Sequence, residues 1–183
     1  MIIGITGKNA SGKDEVASIL VKLGYKYFSL SDIIRQSLKN KNIEILRKNL
    51  IKEGTYLRKN YGLDYLADKT VENIKTNNIK NSVIVSIRNI NEVTRLKKEK
   101  DFILLAIKVD DKIRFERELE RNRENPPENF EEFIKLEKIE FEGNPAGQQL
   151  LKCIEMANFT INNDNSKELL KENLLNFLKK KTN

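Results

Sequence analysis

Short runs of β-branched and other apolar residues alternate along the chain with stretches whose apolar positions repeat at helical spacing. The runs that predict strands are residues 2–6, 25–30, 82–87, 102–109 and 159–162. The stretches that predict helices are residues 13–23, a segment capped by Ser31 or Asp32, residues 92–98, a segment from Asp110 or Asp111 to Arg121, and a last segment from Ser166. This alternation predicts an α/β fold of three layers, with a parallel sheet of about five strands and helices on both faces.

Two long stretches interrupt the alternation. Residues 42–80 have a helical pattern without a strand candidate, and residues 124–147 carry prolines and glycines around a charged helical pattern. Both are too long for plain connections, so we expect mobile elements over a site. The chain 1–183 is therefore predicted to be a single domain. Its expected parts are a core of residues 1–41, 81–123 and 147–183, a helical insertion of residues 42–80 and a lid region of residues 114–146.

The composition is that of an ordinary globular chain. Its 183 residues are 39% apolar and 33% charged, enough for one well-buried core. The apolar runs are far shorter than the roughly 20 residues of a membrane-spanning helix, and no basic segment precedes the first strand. We therefore expect neither a membrane span nor a secretory signal. The one cysteine, Cys153, is interpreted as a buried apolar side chain and suits a cytoplasmic location.

Charge and the absence of histidine restrict the chemistry further. The formal net charge of +7 favours anionic partners, which include phosphates, nucleic acid and anionic membrane surfaces. The sequence contains no histidine. A histidine-based hydrolase triad and a histidine-ligated metal are therefore excluded, and any general base must be a carboxylate, a lysine, a tyrosine or water.

One segment carries the strongest chemical signal, and it reads Gly7-Lys8-Asn9-Ala10-Ser11-Gly12-Lys13-Asp14. This segment, the P-loop below, fits Gly-x-x-x-x-Gly-Lys between a predicted strand and a predicted helix. Its glycines permit a turn that brings backbone N–H groups around the phosphates of ATP, and Lys13 can reach the outer phosphates. All eight residues are therefore predicted to bind the nucleotide.

Asp14 stands where a serine or threonine usually ligates Mg²⁺ in this pattern. A carboxylate suits Mg²⁺ as well, because this ion prefers oxygen ligands. Asp14 is therefore the candidate metal ligand, and ATP and Mg²⁺ are the expected cofactors. Capping of the helix without contact to a metal is the alternative role.

With these residues the chain resembles the P-loop nucleoside monophosphate kinases, in the group that includes dephospho-CoA kinase and deoxynucleoside monophosphate kinase. The segment Ser29-Leu30-Ser31-Asp32-Ile33-Ile34-Arg35 is similar to the Asp-x-x-Arg segment of these kinases. The resemblance implies that Arg35 binds the acceptor's phosphate and that Asp32 orients or deprotonates the attacking oxygen. A helix cap and a surface ion pair are the alternatives for these two residues.

The resemblance extends to the insertion, the lid and the last strand. Residues 47–62 are similar to the acceptor-binding region of deoxynucleoside monophosphate kinases, which makes Arg47 and Arg58 candidate phosphate ligands. The loop after residue 162 resembles one that borders the adenine in dephospho-CoA kinase-like chains. The arginines that resemble lid residues closing on the transferring phosphoryl group are Arg114, Arg117, Arg121 and Arg123, of which Arg117 and Arg121 are the first candidates. Glutamates interleave with them, so a salt-bridged surface is the alternative.

The third strand departs from the family pattern. Ser86 stands where related kinases often place an aspartate, and Arg88 two residues later is a candidate substrate ligand. Ser86 could hold a metal-bound water. Without the carboxylate, either Asp32 or Asp14 must take over its work.

Together these features predict in-line transfer of the γ-phosphoryl group of ATP to a small nucleotide-like acceptor, first of all a (deoxy)nucleoside monophosphate. Dephospho-CoA kinase-like activity and a nucleotide-dependent regulatory ATPase are the alternatives. A nucleic-acid partner, such as an RNA 5′-hydroxyl, is disfavoured because no aromatic platform or reading motif is present. Both a monomer and a homodimer remain open. The predicted catalytic residues are Lys13, Asp32, Arg117 and Arg121, and the predicted substrate ligands are Arg35, Arg47, Arg58 and Arg88.

Overall fold

The computed structural model describes residues 1–120, 126–141 and 145–182, in which strands and helices alternate. In chain order the elements are β1 (Ile2–Thr6), α1 (Lys13–Lys22), β2 (Lys26–Ser29), α2 (Leu30–Asn40), α3 (Arg47–Tyr61), α4 (Tyr65–Thr76), β3 (Ser82–Val85), α5 (Ile90–Leu96), β4 (Phe102–Lys108), α6 (Asp111–Glu120), α7 (Phe130–Phe141), α8 (Leu150–Glu155), β5 (Phe159–Asn162) and α9 (Lys167–Thr182). Within these described residues the strands form one parallel sheet in the order β2-β3-β1-β4-β5.

Side chains of the central strands belong to two apolar clusters, one on each face of the sheet. Ile3 and Ile5 of β1 share a cluster with α1 and α9, to which Leu174 belongs. Ile84 of β3 and Leu104 of β4 belong to the other cluster, which α2, α3, α4, α5 and α8 complete. A parallel sheet buries both faces in this way, because its crossover helices cover both sides. The predicted three-layer α/β fold is confirmed.

The insertion and the lid region take the helical form that their patterns predict. Residues 42–80 hold α3 and α4, and no strand lies in this fully described stretch. Helix α7 supplies the charged helix of the lid region. Arg121 and Arg123, and with them part of the predicted lid, lie outside the described residues. Helix α8 was not predicted, because its six residues contain too short a pattern to be recognised.

The caps predicted from the sequence meet different outcomes. Helix α2 begins at Leu30 with Ser29 at its N-cap position, so the prediction that Ser31 or Asp32 caps it is wrong. The physical reason is that the hydroxyl of Ser31 bonds to other serines across the sheet edge. Asp110 does cap α6, because its carboxylate accepts a hydrogen bond from the Lys112 backbone at 2.8 Å. Ser166 likewise accepts one from the Leu169 backbone at 3.3 Å at the start of α9.

Cys153 lies fully inside the cluster under α8. Burial raises the pKa of its thiol to about 12, so the thiol stays protonated and unreactive near neutral pH. Its interpretation as a buried apolar side chain is confirmed. In the described part of the chain we find no helix with both the length and the apolar character needed to cross a bilayer.

A buried ion pair ties the insertion to the core. Arg58 of α3 contacts Glu92 of α5 at 2.7 Å, and the two side chains are 4% and 0% exposed. Glu92 also accepts hydrogen bonds from the backbone N–H groups of Arg88 at 2.9 Å and Asn89 at 3.0 Å. One carboxylate therefore fixes α3, α5 and the turn after β3 to one another.

We predict that Glu92→Gln lowers the free energy of unfolding by about 3 kcal/mol, because it leaves the buried guanidinium of Arg58 without a counter-charge. Chemical denaturation measures this loss. The matched control is Glu72→Gln, which removes the exposed partner of Lys69 on α4 and should leave the denaturation midpoint unchanged. Equal midpoints for the two variants would contradict the structural role of the Arg58–Glu92 pair.

Candidate active site

The P-loop connects β1 to α1 at the carboxyl edge of the sheet, and its backbone takes a path that few side chains allow. Gly7, Ala10 and Gly12 have positive φ angles of 150°, 58° and 91°. A Cβ atom at Gly7 would lie 2.5 Å from the carbonyl oxygen of Ile107 on β4. Glycine is required there both for its φ angle and for this close approach.

Asn163, in the turn after β5, holds the P-loop from the other side. Its side-chain amide is buried and donates to the carbonyl oxygen of Ser11 at 3.0 Å. Its own carbonyl oxygen accepts a hydrogen bond from Arg117 of α6 at 2.9 Å. The resemblance to dephospho-CoA kinase-like chains implies that this turn borders the adenine, but it did not reveal the bond to the loop. The polar residues that directly follow the last strand are the signal for that bond.

Two lysines of the P-loop are already engaged with their surroundings. Lys13, the first residue of α1, donates from Nζ to the carbonyl oxygen of Lys8 at 2.6 Å, so its ammonium group lies against the loop. Lys8 forms an ion pair of 3.0 Å with Asp111 of α6. Partial burial would raise the pKa of Asp111, but hydrogen bonds from Arg114 and Lys8 outweigh it, so the pKa lies below its ordinary value.

A cavity of about 420 Å³ opens on the α9 side of the P-loop, and we call it the donor cavity. The predicted residues Arg117 and Asp14 both line it, together with Asn163 and Lys167. Arg121 lies outside the described residues, so its predicted catalytic role has no structural counterpart here. The P-loop, the first turn of α1, helix α6 and the turn after β5 thus border one cavity.

Asp14 is exposed in the first turn of α1, where a carboxylate interacts favourably with the helix dipole. Its oxygen atoms have the chemistry that Mg²⁺ prefers, and they border the donor cavity beside the loop. The donor set therefore fits a magnesium ion held jointly by Asp14 and a polyphosphate. The position is equally compatible with a role at the helix N-terminus alone.

A second cavity of about 250 Å³ opens on the α2 and α3 side of the P-loop, and we call it the acceptor cavity. Asn9 of the P-loop lines it, and so do all four predicted substrate ligands, Arg35, Arg47, Arg58 and Arg88. The structure thus brings together four arginines that are up to 53 positions apart in the sequence, since 88 − 35 = 53. Apolar side chains of Ile34, Leu50 and Ile51 complete the wall.

The four arginines differ in their partners. Arg58 is bound to the buried Glu92, and Arg88 donates to the side-chain oxygen of Gln148 at 3.2 Å. Arg35 donates to Ser31 and to Asp32, each at 2.8 Å. Asp32 itself is 62% exposed and is not among the described residues that line the acceptor cavity. Asp32 and Arg35 therefore form an exposed ion pair, which is one of the alternatives that the sequence left open.

Three serine hydroxyls meet at the carboxyl ends of β2 and β3, and we call them the serine cluster. Ser29 lies 2.9 Å from Ser31 and 3.0 Å from Ser86, and Ser31 lies 3.1 Å from Ser86, measured between Oγ atoms. The sequence singled out Ser86, but it gave Ser31 only as a helix cap and gave Ser29 no role of its own. The signal was present, because Ser29 and Ser31 flank the end of the second strand and parallel strands end at one edge.

Arg114 anchors the lid region to the P-loop. This residue of α6 is fully buried and donates to the Asn9 carbonyl oxygen at 3.0 Å. Its guanidinium also binds Glu137 of α7 at 2.5 and 2.7 Å and Asp111 at 2.6 Å. Sequence reasoning placed Arg117 and Arg121 ahead of Arg114, because the partner Glu137 is 23 residues away and belongs to another helix.

Comparison with known proteins places this geometry in a family. A family model described as an AAA domain matches residues 3–136. A UPF0200 protein of Staphylothermus marinus is 33% identical over 98% of this chain and 92% of its own length. Another, from Methanococcus vannielii, is 30% identical over 98% of this chain and 95% of its own length.

The fold itself is that of P-loop kinases. The crystal structure of a shikimate kinase from Bacteroides thetaiotaomicron superposes with a TM-score of 0.65 over 98% of both chains, at 15% sequence identity. That identity supports a shared fold and nothing finer. The chain belongs to the AAA domain family and, by its relatives, to the UPF0200 proteins.

Proposed function

We propose that this protein is an ATP-dependent phosphotransferase that moves the γ-phosphoryl group to the phosphate of a small nucleotide-like acceptor, a (deoxy)nucleoside monophosphate. The observation that carries the proposal is the acceptor cavity, where four arginines face a space that also borders the P-loop. Guanidinium groups match phosphate oxygens and bind them through paired hydrogen bonds.

The composition of the acceptor cavity supports a phosphate rather than a hydroxyl as the attacking group. None of the described residues that line it is an aspartate or a glutamate. A hydroxyl must lose its proton during transfer, which calls for a general base. A phosphate monoester is largely deprotonated at neutral pH, because its second pKa lies near 6. It therefore brings its own anionic nucleophile, which favours a nucleoside monophosphate over dephospho-CoA.

The P-loop and the residues around the donor cavity would bind the phosphoryl donor. The P-loop amides and Lys13 would hold the β- and γ-phosphates of ATP, and Asp14 would hold Mg²⁺, which supplies charge neutralisation when bound. Arg117 would contact the nucleotide from the lid side of the donor cavity. Because the P-loop separates the two cavities, a γ-phosphate on the loop would lie between donor and acceptor. Catalysis would then consist mainly of positioning and charge neutralisation.

A regulatory ATPase is the second candidate. The observation that favours it is the neutral serine cluster at the end of β3, where the resemblance leads one to expect a carboxylate. Such a protein would hydrolyse ATP slowly and change its binding to a partner without forming a phosphorylated small molecule.

A transfer assay separates these candidates. The protein is incubated with Mg-ATP and a panel of nucleoside monophosphates, dephospho-CoA and shikimate, and phosphorylated products are detected by mass. We expect a nucleoside diphosphate as the product, because the acceptor cavity offers arginines and no base. Consumption of ATP without a phosphorylated acceptor would refute the phosphotransferase and favour the regulatory ATPase.

We predict that Lys13→Ala weakens the binding of Mg-ATP at least about tenfold, because it removes the charge that faces the outer phosphates. Isothermal titration calorimetry measures the change. The control is Lys22→Ala, which removes an exposed lysine in the last turn of the same helix and should bind Mg-ATP as the unmodified protein does. Unchanged binding by Lys13→Ala would contradict the assignment of the P-loop.

We predict that Arg47→Ala raises the acceptor KM by about tenfold to a hundredfold, because a hydrogen bond to a charged phosphate is lost. The KM for ATP should stay unchanged, since Arg47 lines the acceptor cavity and not the donor cavity. Its exposed neighbour Lys48 supplies the control variant Lys48→Ala, which carries the same charge change outside the cavity. A rise in the ATP KM of Arg47→Ala would count against the proposed division of the two cavities.

A further inference from the structure

The serine cluster lies where the acceptor cavity meets the edge of the sheet. Ser31 and Ser86 line this cavity, whereas Ser29 is buried behind them at 6% exposure. Helix α2 begins at Leu30, so the cluster also lies at the end of a helix where the backbone dipole is positive. The hydroxyls are thus in a place that favours negative charge.

The backbone at Ser86 is unusual. Its φ angle of 62° is in the left-handed region, which side chains other than that of glycine rarely adopt. Residues held in this conformation cost folding free energy, and they concentrate at functional sites. The left-handed turn directly after β3 brings the Ser86 hydroxyl within hydrogen-bond distance of Ser29 and Ser31. A glycine would take the same backbone path without strain but would have no hydroxyl.

The hydrogen bonds of the serine cluster run from Arg35 towards the cavity. Arg35 donates to the Ser31 hydroxyl at 2.8 Å, and a guanidinium can only donate. Ser31 in turn donates to Ser86. Ser29 can be donor or acceptor in its bonds to Ser31 and Ser86, and when Ser29 donates, the proton of Ser86 points to a group in the cavity. Hydrogen bonds in such a chain polarise one another, so donation from Arg35 to Ser31 makes Ser86 a stronger donor.

We propose that Ser86 is a specificity-determining residue that donates a hydrogen bond to the acceptor's phosphate, and that the relay Arg35–Ser31–Ser86 polarises its hydroxyl. The proposal rests on the proposed function, which it deepens by naming the contact that selects a phosphate. A neutral hydroxyl suits this role better than a carboxylate, because an aspartate at position 86 would repel a dianionic group. Ser86, which replaces the aspartate of related kinases at the third strand, would thus match the phosphate of the acceptor.

The location of Ser86 argues against the alternative role of holding a metal-bound water. Ser86 belongs to the acceptor cavity with the four arginines, whereas Asp14, the candidate magnesium ligand, borders the donor cavity. Arginine side chains repel a cation and attract a phosphate. The two roles also give different experimental signatures.

The test measures binding and transfer separately. Calorimetry with inorganic phosphate and the nucleoside monophosphate panel is carried out on the unmodified protein and on Ser86→Gly and Ser86→Ala. We expect both variants to bind the nucleoside monophosphate about tenfold to a hundredfold more weakly and to bind Mg-ATP unchanged. Ser86→Gly should also raise the thermal midpoint above that of Ser86→Ala, because it relieves the left-handed strain.

The control variant is Ser82→Ala, at the opposite end of β3. Ser82 is fully buried, and its hydroxyl has no hydrogen-bond partner among the described residues. This variant should leave acceptor binding unchanged. Unchanged acceptor binding in Ser86→Gly would overturn the proposal. A variant in which the Mg²⁺ dependence of ATP binding shifts while acceptor binding stays the same would also overturn it. So would an unmodified protein that binds neither inorganic phosphate nor any nucleoside monophosphate.

The relay has its own test in a double-mutant cycle of Ser31→Ala and Ser86→Ala. If Ser31 acts through Ser86, the double variant should lose little more affinity than Ser86→Ala alone. Fully additive losses would overturn the relay. Acceptor binding that depends on Ser86 without any phosphoryl transfer would leave the subsite standing and refute the proposed function alone.

Discussion

The P-loop is contacted from three directions by elements that are distant from it in the sequence. The carbonyl of Ile107 on β4 leaves room for nothing larger than glycine at position 7, and the amide of Asn163 binds the carbonyl of Ser11. From the lid side, Arg114 binds the carbonyl of Asn9. The central position of the P-loop separates the donor cavity from the acceptor cavity.

Arginine has two distinct roles in this protein, and its partners decide which. Arg58 and Arg114 are buried beside glutamates, where a charge pair with further hydrogen bonds offsets part of the cost of desolvation. They attach the insertion and the lid helices to the core. Arg35, Arg47 and Arg88 line the acceptor cavity, where the described lining residues include no carboxylate. In the proposed function these three guanidinium groups would bind the acceptor's phosphate.

The left-handed serine after β3 links these observations to the proposed reaction. An enzyme that phosphorylates a hydroxyl needs a group to take up a proton, whereas one that phosphorylates a phosphate needs donors that orient it. The acceptor cavity is rich in donors, since arginines and serine hydroxyls line it beside the P-loop. The left-handed backbone at Ser86 is strained, and it places one of these donor hydroxyls at the carboxyl edge of the sheet.

The resemblance to nucleoside monophosphate kinases indicated the arginines that the acceptor cavity gathers, whereas the sequence by itself determined the alternation of strands and helices and the P-loop. These features depend on local periodicity and on residues within a few positions of one another, which one chain displays directly. It did not reveal the serine cluster, the bond from Asn163 to the loop or the partner of Arg114. Ser29 and Ser86 are 57 positions apart, and Asn163 and Ser11 are 152 apart. Only the order and register of the parallel strands bring such residues within hydrogen-bond distance, so the tertiary structure decided these contacts.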